Sequence, residues 1–231
     1  IKRRRRRDDS PRLIREYEAL SPVAHIDEPS DRGPVFEELL DHLDPVFDGR
    51  LPPNAYVYGP PGSGKSAIVT ALFTRLSRLS TGTRSVIHTS TRAATPAAPE
   101  FVYVDRRETT SEFAFYHDVL DGLVDESVPE HGVSTEELRS RLHDHLGNAR
   151  SGVVVAVDHV DGSERSGTDD LVGLFAGLPS NVSWLGVGRH DPGETAIAEY
   201  TATSIHVDSY QRQMLVDVLM TRASGGLAQQ A

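Results

Sequence analysis

Eight consecutive residues at positions 59–66 combine glycines, a lysine and a hydroxyl group at a spacing suited to phosphate chemistry. Glycines allow the backbone to curl so that successive N–H groups point at phosphate oxygens. A lysine at the end of such a loop can reach the outer phosphates of a nucleotide, and a following serine can ligate Mg²⁺. The candidate nucleotide-binding residues of this loop are Gly59, Pro60, Pro61, Gly62, Ser63, Gly64, Lys65 and Ser66.

The segments on either side of this loop are those that a phosphate-binding loop requires. Ala55–Tyr58 is a short β-branched and aromatic run that predicts a strand, and residues 67–73 predict a helix. A helix that begins at the loop adds the positive end of its dipole to the site. Lys65 is one of only two lysines in a chain rich in arginine, whose planar guanidinium would not fit the loop as well. The sequence therefore predicts a nucleotide as a ligand.

A second group of polar residues follows the apolar run at residues 153–157, which predicts a strand covered on both faces. Asp158 comes directly after that run, where a carboxylate is needed to orient Mg²⁺, so we expect Ser66 and Asp158 to hold the metal. His159 stands where a glutamate usually polarises the attacking water. An imidazole can accept a proton but supplies no negative charge beside the metal. We therefore expect slow hydrolysis or none, and leave open whether the chain is an ATPase.

Two further segments are candidates for contacts with a nucleotide. Arg189 follows the apolar run at residues 182–188 and is either a donor to the γ-phosphate or an exposed loop arginine. Val23 and Ile26 lie in a loop before the first strand, where they either wrap the base and ribose or seal the edge of the sheet. Asp161 either reaches a water molecule or braces its own loop.

Hydrophobic periodicity predicts strands that alternate with helices along the chain. The predicted strands are residues 55–58, 85–88, 100–105, 153–157, 182–188 and 202–207, and the predicted helices are residues 12–20, 35–43, 67–79, 111–126, 134–149, 168–177 and 211–223. Ser111 is expected to cap its helix, and Ser134 with Glu137 to form a capping box. This alternation predicts an α/β fold with one parallel sheet and helices on both faces.

Composition narrows the classes of protein to consider. A net charge of −10 with few lysines is typical of a protein from a high-salt cytoplasm, and no apolar run is long enough to cross a membrane. The absence of cysteine excludes disulfides and thiolate metal sites. The ten histidines are scattered, which favours surface or capping roles over a zinc site. Residues 2–7 are basic and form either a solvated arm or a contact to a phosphate backbone.

With these residues in view, the chain resembles the AAA+ ATPases, and among them a divergent form of the archaeal origin-recognition and cell-division-control replication initiators, similar to those of haloarchaea. The landmarks are Arg32 before the predicted helix at 35–43, the loop at 59–66, the run ending in Asp158, and a closing segment at 210–223 similar to a lid helix. The resemblance implies a P-loop NTPase (AAA+) three-layer sandwich with a central parallel five-stranded sheet, plus the start of a helical lid. It also places Arg32 among the nucleotide-binding residues.

The resemblance further implies a division of the chain and a function. Residues 1–10 would form a basic disordered arm, residues 11–208 the AAA+ nucleotide-binding core, and residues 209–231 a truncated lid without the winged helix. The core would be a cytoplasmic, nucleotide-dependent conformational switch related to DNA replication initiators, with ATP or ADP and Mg²⁺ as cofactors. Expected partners are replication proteins or a second copy, and DNA through regions outside this chain or through the Arg3–Arg7 arm; no membrane is expected.

Three departures from the family keep other functions open. His159 replaces the family's catalytic glutamate, Arg189 its sensor asparagine, and no arginine lies between Glu194 and Tyr210, where the family carries an arginine finger. The main alternative is a regulatory or signalling P-loop ATPase that does not bind DNA. A small-molecule kinase would need an acceptor pocket and an arginine-bearing lid, and neither stands out in the sequence.

Overall fold

The structure is a computed structural model that describes residue 14 and residues 32–84, 99–124, 126–148, 152–161 and 168–228. The chain divides into two compact units, one of Asp27–Ser209 and one of Ile1–Ile26 with Tyr210–Ala231. Several predictions lie outside the described residues: the arm at 1–10, the helix at 12–20, Val23 and Ile26, and the strand at 85–88.

The larger unit is built on one sheet of five strands, β1 (Ala55–Tyr58), β2 (Glu100–Asp105), β3 (Val153–Asp158), β4 (Val182–Val187) and β5 (Thr203–His206). Their order in the sheet is β2-β3-β4-β1-β5, and each neighbouring pair is parallel. Every residue of β3 is buried, as expected for a central parallel strand with both faces covered. The predicted five-stranded parallel sheet is confirmed.

Helices cover both faces of this sheet. In the larger unit they are α1 (Gly33–Leu43), α2 (Lys65–Arg84), α3 (Glu112–Asp121), α4 (Thr135–Asn148) and α5 (Thr168–Ala176). The side chains of α1 and α2 share one apolar cluster with β1, β4 and β5, whereas α3, α4 and α5 share a second with the opposite face of the sheet. Leu138, Leu142 and Leu146 are fully buried on α4, as their four-residue spacing predicts. The three-layer arrangement is thus confirmed.

Two helix ends differ from the prediction for local reasons. Ser111 caps α3, and its Oγ accepts a hydrogen bond of 3.1 Å from the amide of Ala114, as expected. However, α3 ends at Asp121 instead of near residue 126, because the Asp121 carboxylate accepts a hydrogen bond from the amide of Val128 and turns the chain. On α4 only half of the capping box forms, since the amide of Glu137 donates to Ser134 while its carboxylate pairs with Arg141.

His117 on α3 joins this helix to the loop that follows it. Its Nε2 lies 3.1 Å from the carbonyl oxygen of Val128, and its Nδ1 lies 3.3 Å from Oδ1 of Asp118. Both ring nitrogens therefore face acceptors, which only the doubly protonated ring can satisfy. Burial by itself lowers the pKa of His117, but these hydrogen bonds and the nearby charge of Asp121 outweigh burial and raise it.

This arrangement predicts a pH dependence of stability. A raised pKa in the folded chain means that protonated His117 stabilises the fold below about pH 6.5, and that this contribution disappears as pH rises through the folded pKa. We expect it to amount to about 1 kcal/mol of unfolding free energy, measured by urea titration between pH 5.5 and 8. The His117→Gln variant should lose this dependence, whereas His131→Gln, at an exposed loop histidine, should keep it. Identical profiles for His117→Gln and the unmodified chain would contradict the assignment.

The smaller unit contains α6 (Arg212–Gly226), which extends three residues beyond the predicted end at residue 223. Within the same unit, Ile14 and Leu227 form an isolated antiparallel bridge. Across the described residues, no helix combines the length and the apolar character that a membrane span needs.

Candidate nucleotide-binding site

The sheet order brings the candidate residues of the larger unit to one edge. The loop at 59–66 follows β1, Asp158 ends β3, and residues 188–190 follow β4, which lies between these two strands. Because the strands are parallel, their carboxyl ends lie at the same edge of the sheet, where α/β proteins bind ligands. Segments about 100 residues apart in the sequence therefore meet at one place.

The glycines of the loop adopt backbone conformations that other residues rarely reach. Gly59, Gly62 and Gly64 have φ angles of +147°, +76° and +91°. A Cβ atom on Gly59 would lie 2.2 Å from the carbonyl oxygen of Val207, just after β5, so the strand and the loop can approach only at a glycine. A Cβ on Gly62 would meet nothing within 4 Å. The residues of the sequence pattern therefore form a folded loop, which has open space at Gly62.

Lys65 begins α2 and is folded back onto the loop that precedes it. Its Nζ donates to the carbonyl oxygens of Gly59 at 2.7 Å and Pro60 at 2.9 Å, and to Oγ of Ser63 at 3.2 Å. Only 8% of the residue is exposed. The ammonium group is therefore held at the loop by neutral oxygens.

The carboxylates near Lys65 only partly offset the cost of burying its ammonium group. Burial is the largest effect on Lys65 and lowers its pKa. The charges of Asp158 and Asp161 raise this pKa, and Arg189 and Arg32 lower it by smaller amounts. The two arginines add positive charge close to the same loop. A buried ammonium in such surroundings is stabilised by an anion that binds next to it.

Arg32 also contacts the phosphate-binding loop directly. It precedes α1 and is only 6% exposed, and its Nη2 donates to the carbonyl oxygen of Ser63. The segment before α1 is thereby tied to the loop, although Arg32 and Ser63 are 31 residues apart in sequence. The structure thus brings Arg32 to the backbone of the candidate site.

Asp158 is almost fully buried at the end of β3, with 2% of the residue exposed. Oδ2 accepts a hydrogen bond of 2.6 Å from the hydroxyl of Tyr103, and Oδ1 accepts one of 2.7 Å from the amide of His159. A carboxylate has about four acceptor positions, so these two donors leave room for further ligands. Its orientation is fixed from two sides.

His159 has a φ of +58° and is the one non-glycine residue with positive φ among those described. Histidine is one of the residues that tolerate this conformation. Its Nδ1 lies 3.2 Å from Oδ1 of Asp105 and 3.4 Å from Oδ1 of Asp158, so the imidazole lies close to two carboxylates. Asp105 is in turn held by Arg107. Burial raises the pKa of Asp105, but hydrogen bonds from Arg107 and the charge of His159 outweigh burial and lower it.

Asp161 lies in the loop after β3, but it braces the neighbouring loop after β4 instead of its own. The Asp161 side chain is only 3% exposed and accepts a hydrogen bond from the amide of Arg189. The same carboxylate lies 3.5 Å from Nε of Arg189 and 3.2 Å from Nδ1 of His190. The Arg189 side chain is 53% exposed, so it stands at the edge of the site with its backbone fixed.

Sequence reasoning missed Tyr103, Asp105 and Arg107. Asp105 ends β2 as Asp158 ends β3, and the two residues are register partners in the sheet. The position of Asp105 at the end of a strand was the signal that could have identified it as a candidate. Tyr103 gave no such signal, because it looked like any other residue of an apolar strand.

The polar groups present suit a magnesium–nucleotide complex. No three His, Asp or Glu side chains converge on a metal site anywhere in the described ranges, so a cation here would have few protein ligands. Mg²⁺ bound with a nucleotide needs few, because phosphate oxygens and water fill most of its coordination positions. The hydroxyl of Ser66 and the carboxylate of Asp158 are donors of the kind that Mg²⁺ prefers. The site therefore fits the group that the sequence predicts.

Comparison with known proteins places this geometry in a family. Residues 31–185 match the family described as AAA ATPase domain. The chain is 25% identical over 161 residues to the ORC1-type DNA replication protein 1 of Sulfolobus acidocaldarius, covering 70% of this chain and 36% of the relative. It is 28% identical over 132 residues to the ORC1-type DNA replication protein 5 of Halobacterium salinarum, covering 56% and 29%. The chain thus spans about a third of the length of these two relatives.

Solved structures agree on the fold. The Aeropyrum pernix ORC1 protein in complex with DNA superposes with a TM-score of 0.70 at 22% identity, covering 93% of this chain and 55% of that one. The ADP form of the A. pernix ORC2 protein also gives 0.70, at 16% identity, covering 95% and 59%. The chain belongs to the AAA ATPase domain family, and its homologues there include archaeal ORC1-type DNA replication proteins.

Proposed function

We propose that this chain binds Mg·ATP at the loop of residues 59–66 and uses it as a conformational switch with weak or absent hydrolysis. The observation that carries the proposal is the buried ammonium of Lys65, held on the carbonyl oxygens of Gly59 and Pro60 at a loop of three positive-φ glycines. Family membership supports nucleotide as the ligand.

Each candidate residue has a role in this proposal. Lys65 would exchange its contacts with loop carbonyls for phosphate oxygens, and Arg32 would keep the loop backbone in place. Ser66 and Asp158 would hold Mg²⁺, which supplies positive charge beside the phosphates. Arg189 would stand near the γ-phosphate. Calorimetric titration with Mg·ATP and with Mg·ADP tests binding; no heat from either nucleotide would contradict the proposal.

Weak hydrolysis follows from the surroundings of His159. The Nδ1 of this imidazole faces the carboxylates of Asp105 and Asp158, so only the uncharged Nε2 is left to accept a proton from water, where the family's glutamate would offer a carboxylate. The ring also cannot add negative charge beside the metal. Bound ATP would therefore persist, with little or no hydrolysis.

Replacing His159 should reveal this limitation. We expect His159→Glu to raise the steady-state rate of ATP hydrolysis about tenfold or more, because it restores a carboxylate base at the end of β3. Phosphate release with saturating Mg·ATP measures the rate. His143→Glu, at a histidine on α4 that contacts the carbonyl oxygen of Gly177, is the matched control and should leave the rate unchanged. Rapid hydrolysis by the unmodified chain, undiminished in His159→Ala, would refute the proposed role.

The biological setting is proposed from the relatives, whose names describe DNA replication proteins. In this proposal residues 11–208 are the nucleotide-binding core, residues 209–231 the start of a lid, and the whole acts in the cytoplasm on replication origins. DNA would be bound by regions outside this chain or by the Arg3–Arg7 arm, and replication proteins or a second copy would be partners. Electrophoretic mobility of origin DNA with and without residues 1–7 tests the arm; equal binding would exclude it.

A further inference from the structure

Tyr103 on β2 makes a contact that the proposed function does not use. Its hydroxyl donates a hydrogen bond of 2.6 Å to Oδ2 of Asp158 on the neighbouring strand. The phenol is half-buried, and burial, together with the charge of Asp158, raises the pKa of Tyr103. The geometry of this short hydrogen bond makes the phenol the donor to this carboxylate.

Tyr103 contacts both elements that carry the proposed metal ligands: it bonds to Asp158 of β3 and packs against the apolar cluster that includes α2. Helix α2 begins at Lys65 and Ser66. Thr70 lies four residues after Ser66, on the same face of α2, and its hydroxyl lowers the pKa of Tyr103 as a neighbouring donor does. Thr70 Oγ has no well-aligned hydrogen-bond partner within the described residues, so the contact between Tyr103 and Asp158 is the stronger of the two.

The opposite oxygen of the carboxylate is fixed as well. Oδ1 of Asp158 accepts from the amide of His159, a residue whose backbone conformation holds that amide in place. With one donor on each oxygen, the carboxylate plane cannot rotate without breaking a hydrogen bond. A ligand whose own oxygens are hydrogen-bonded is presented to a metal in one orientation.

We infer that Tyr103 is a positioning residue for magnesium–nucleotide binding, which acts by fixing the orientation of the Asp158 carboxylate. The inference rests on the proposed function, since it concerns the same site. It distinguishes Tyr103 from residues that bind the nucleotide itself, because Tyr103 would strengthen only that part of the affinity that depends on Mg²⁺.

The test compares ATP affinity in excess Mg²⁺ and in EDTA by calorimetry. We expect Tyr103→Phe, which removes only the hydroxyl, to weaken binding about tenfold in Mg²⁺, as loss of an outer-shell partner typically does, and to leave the affinity in EDTA unchanged. Tyr116→Phe is the matched control, since Tyr116 is a buried tyrosine on α3 in the opposite apolar cluster. It should bind like the unmodified chain under both conditions.

Two further measurements separate positioning from general stability. In an Asp158→Asn background, adding Tyr103→Phe should cause no further loss, because its effect passes through that carboxylate. The thermal midpoint of Tyr103→Phe without nucleotide should stay close to that of Tyr116→Phe. Unchanged binding in Mg²⁺, or an equal loss in Mg²⁺ and EDTA, would overturn the inference while the proposed function stands. Failure of the unmodified chain to bind ATP would instead contradict the proposed function.

Discussion

Replacing Lys65 with alanine is expected to abolish measurable binding of Mg·ATP, with a loss of affinity of about 100-fold or more. Two hydrogen bonds between an ammonium and phosphate oxygens contribute about 3 kcal/mol, which corresponds to roughly two orders of magnitude in the dissociation constant. The residue is buried and is the one lysine after position 2, so no neighbouring lysine can replace it. Arginine at this position should restore little, because its larger planar group does not fit the buried position of the compact ammonium.

Fluorescent-nucleotide displacement measures this loss, and unfolding without nucleotide provides the control. Lys65→Ala removes a buried charge, so it should lower the unfolding free energy of the ligand-free chain by no more than about 1 kcal/mol. Arg75→Ala, at an exposed position on the same helix, should leave both the affinity and the stability unchanged. Retention of near-normal affinity by Lys65→Ala would contradict the central role of the ammonium group.

Replacing Gly59 with alanine should give the largest loss of stability among the loop positions, about 3 kcal/mol of unfolding free energy. The added Cβ would lie 2.2 Å from the carbonyl oxygen of Val207, a backbone atom that no side-chain rotation can move aside. Either the loop or the segment after β5 must shift, and the loop would no longer be shaped for phosphate. We therefore expect nucleotide binding to be lost together with stability.

Gly62→Ala is the matched variant, because Gly62 also has positive φ but has open space where the Cβ would lie. Its cost should be limited to the backbone conformation, about 1 kcal/mol. Urea titration of both variants measures the difference, which should be about 2 kcal/mol. Equal costs for the two substitutions would show that the approach of Val207 to Gly59 is not a constraint on the fold.

Much of the fold could be predicted because its elements are specified locally. The apolar and β-branched runs at 55–58 and 100–105 are strands with those bounds, and the leucines of α4 are buried as their spacing predicts. The prediction was wrong where a single side-chain contact decides the end of a helix. The end of α3 is set by Asp121 and Val128, whose hydrogen bond crosses seven residues and leaves no periodic signal.

The candidate site likewise has residues that the sequence predicts and residues that it does not. The loop and Asp158 could be found from spacing, because each occupies one continuous stretch of sequence. The partners of Asp158 could not, since the contact with Tyr103 depends on which strands are neighbours and on their register. Likewise, the approach of Asp105 to His159 follows from the pairing of β2 with β3, which the order of elements along the chain does not specify.

The central claim is that Mg·ATP binds at residues 59–66, and hydrogen–deuterium exchange with and without Mg·ATP tests it most directly. The account predicts that ATP slows exchange of the backbone amides of this loop and of the first turn of α2, because phosphate oxygens accept their hydrogen bonds. The Lys65→Ala variant should show no such protection at the same ATP concentration. Unchanged exchange in the loop of the unmodified chain, or protection confined to another part of it, would contradict the account.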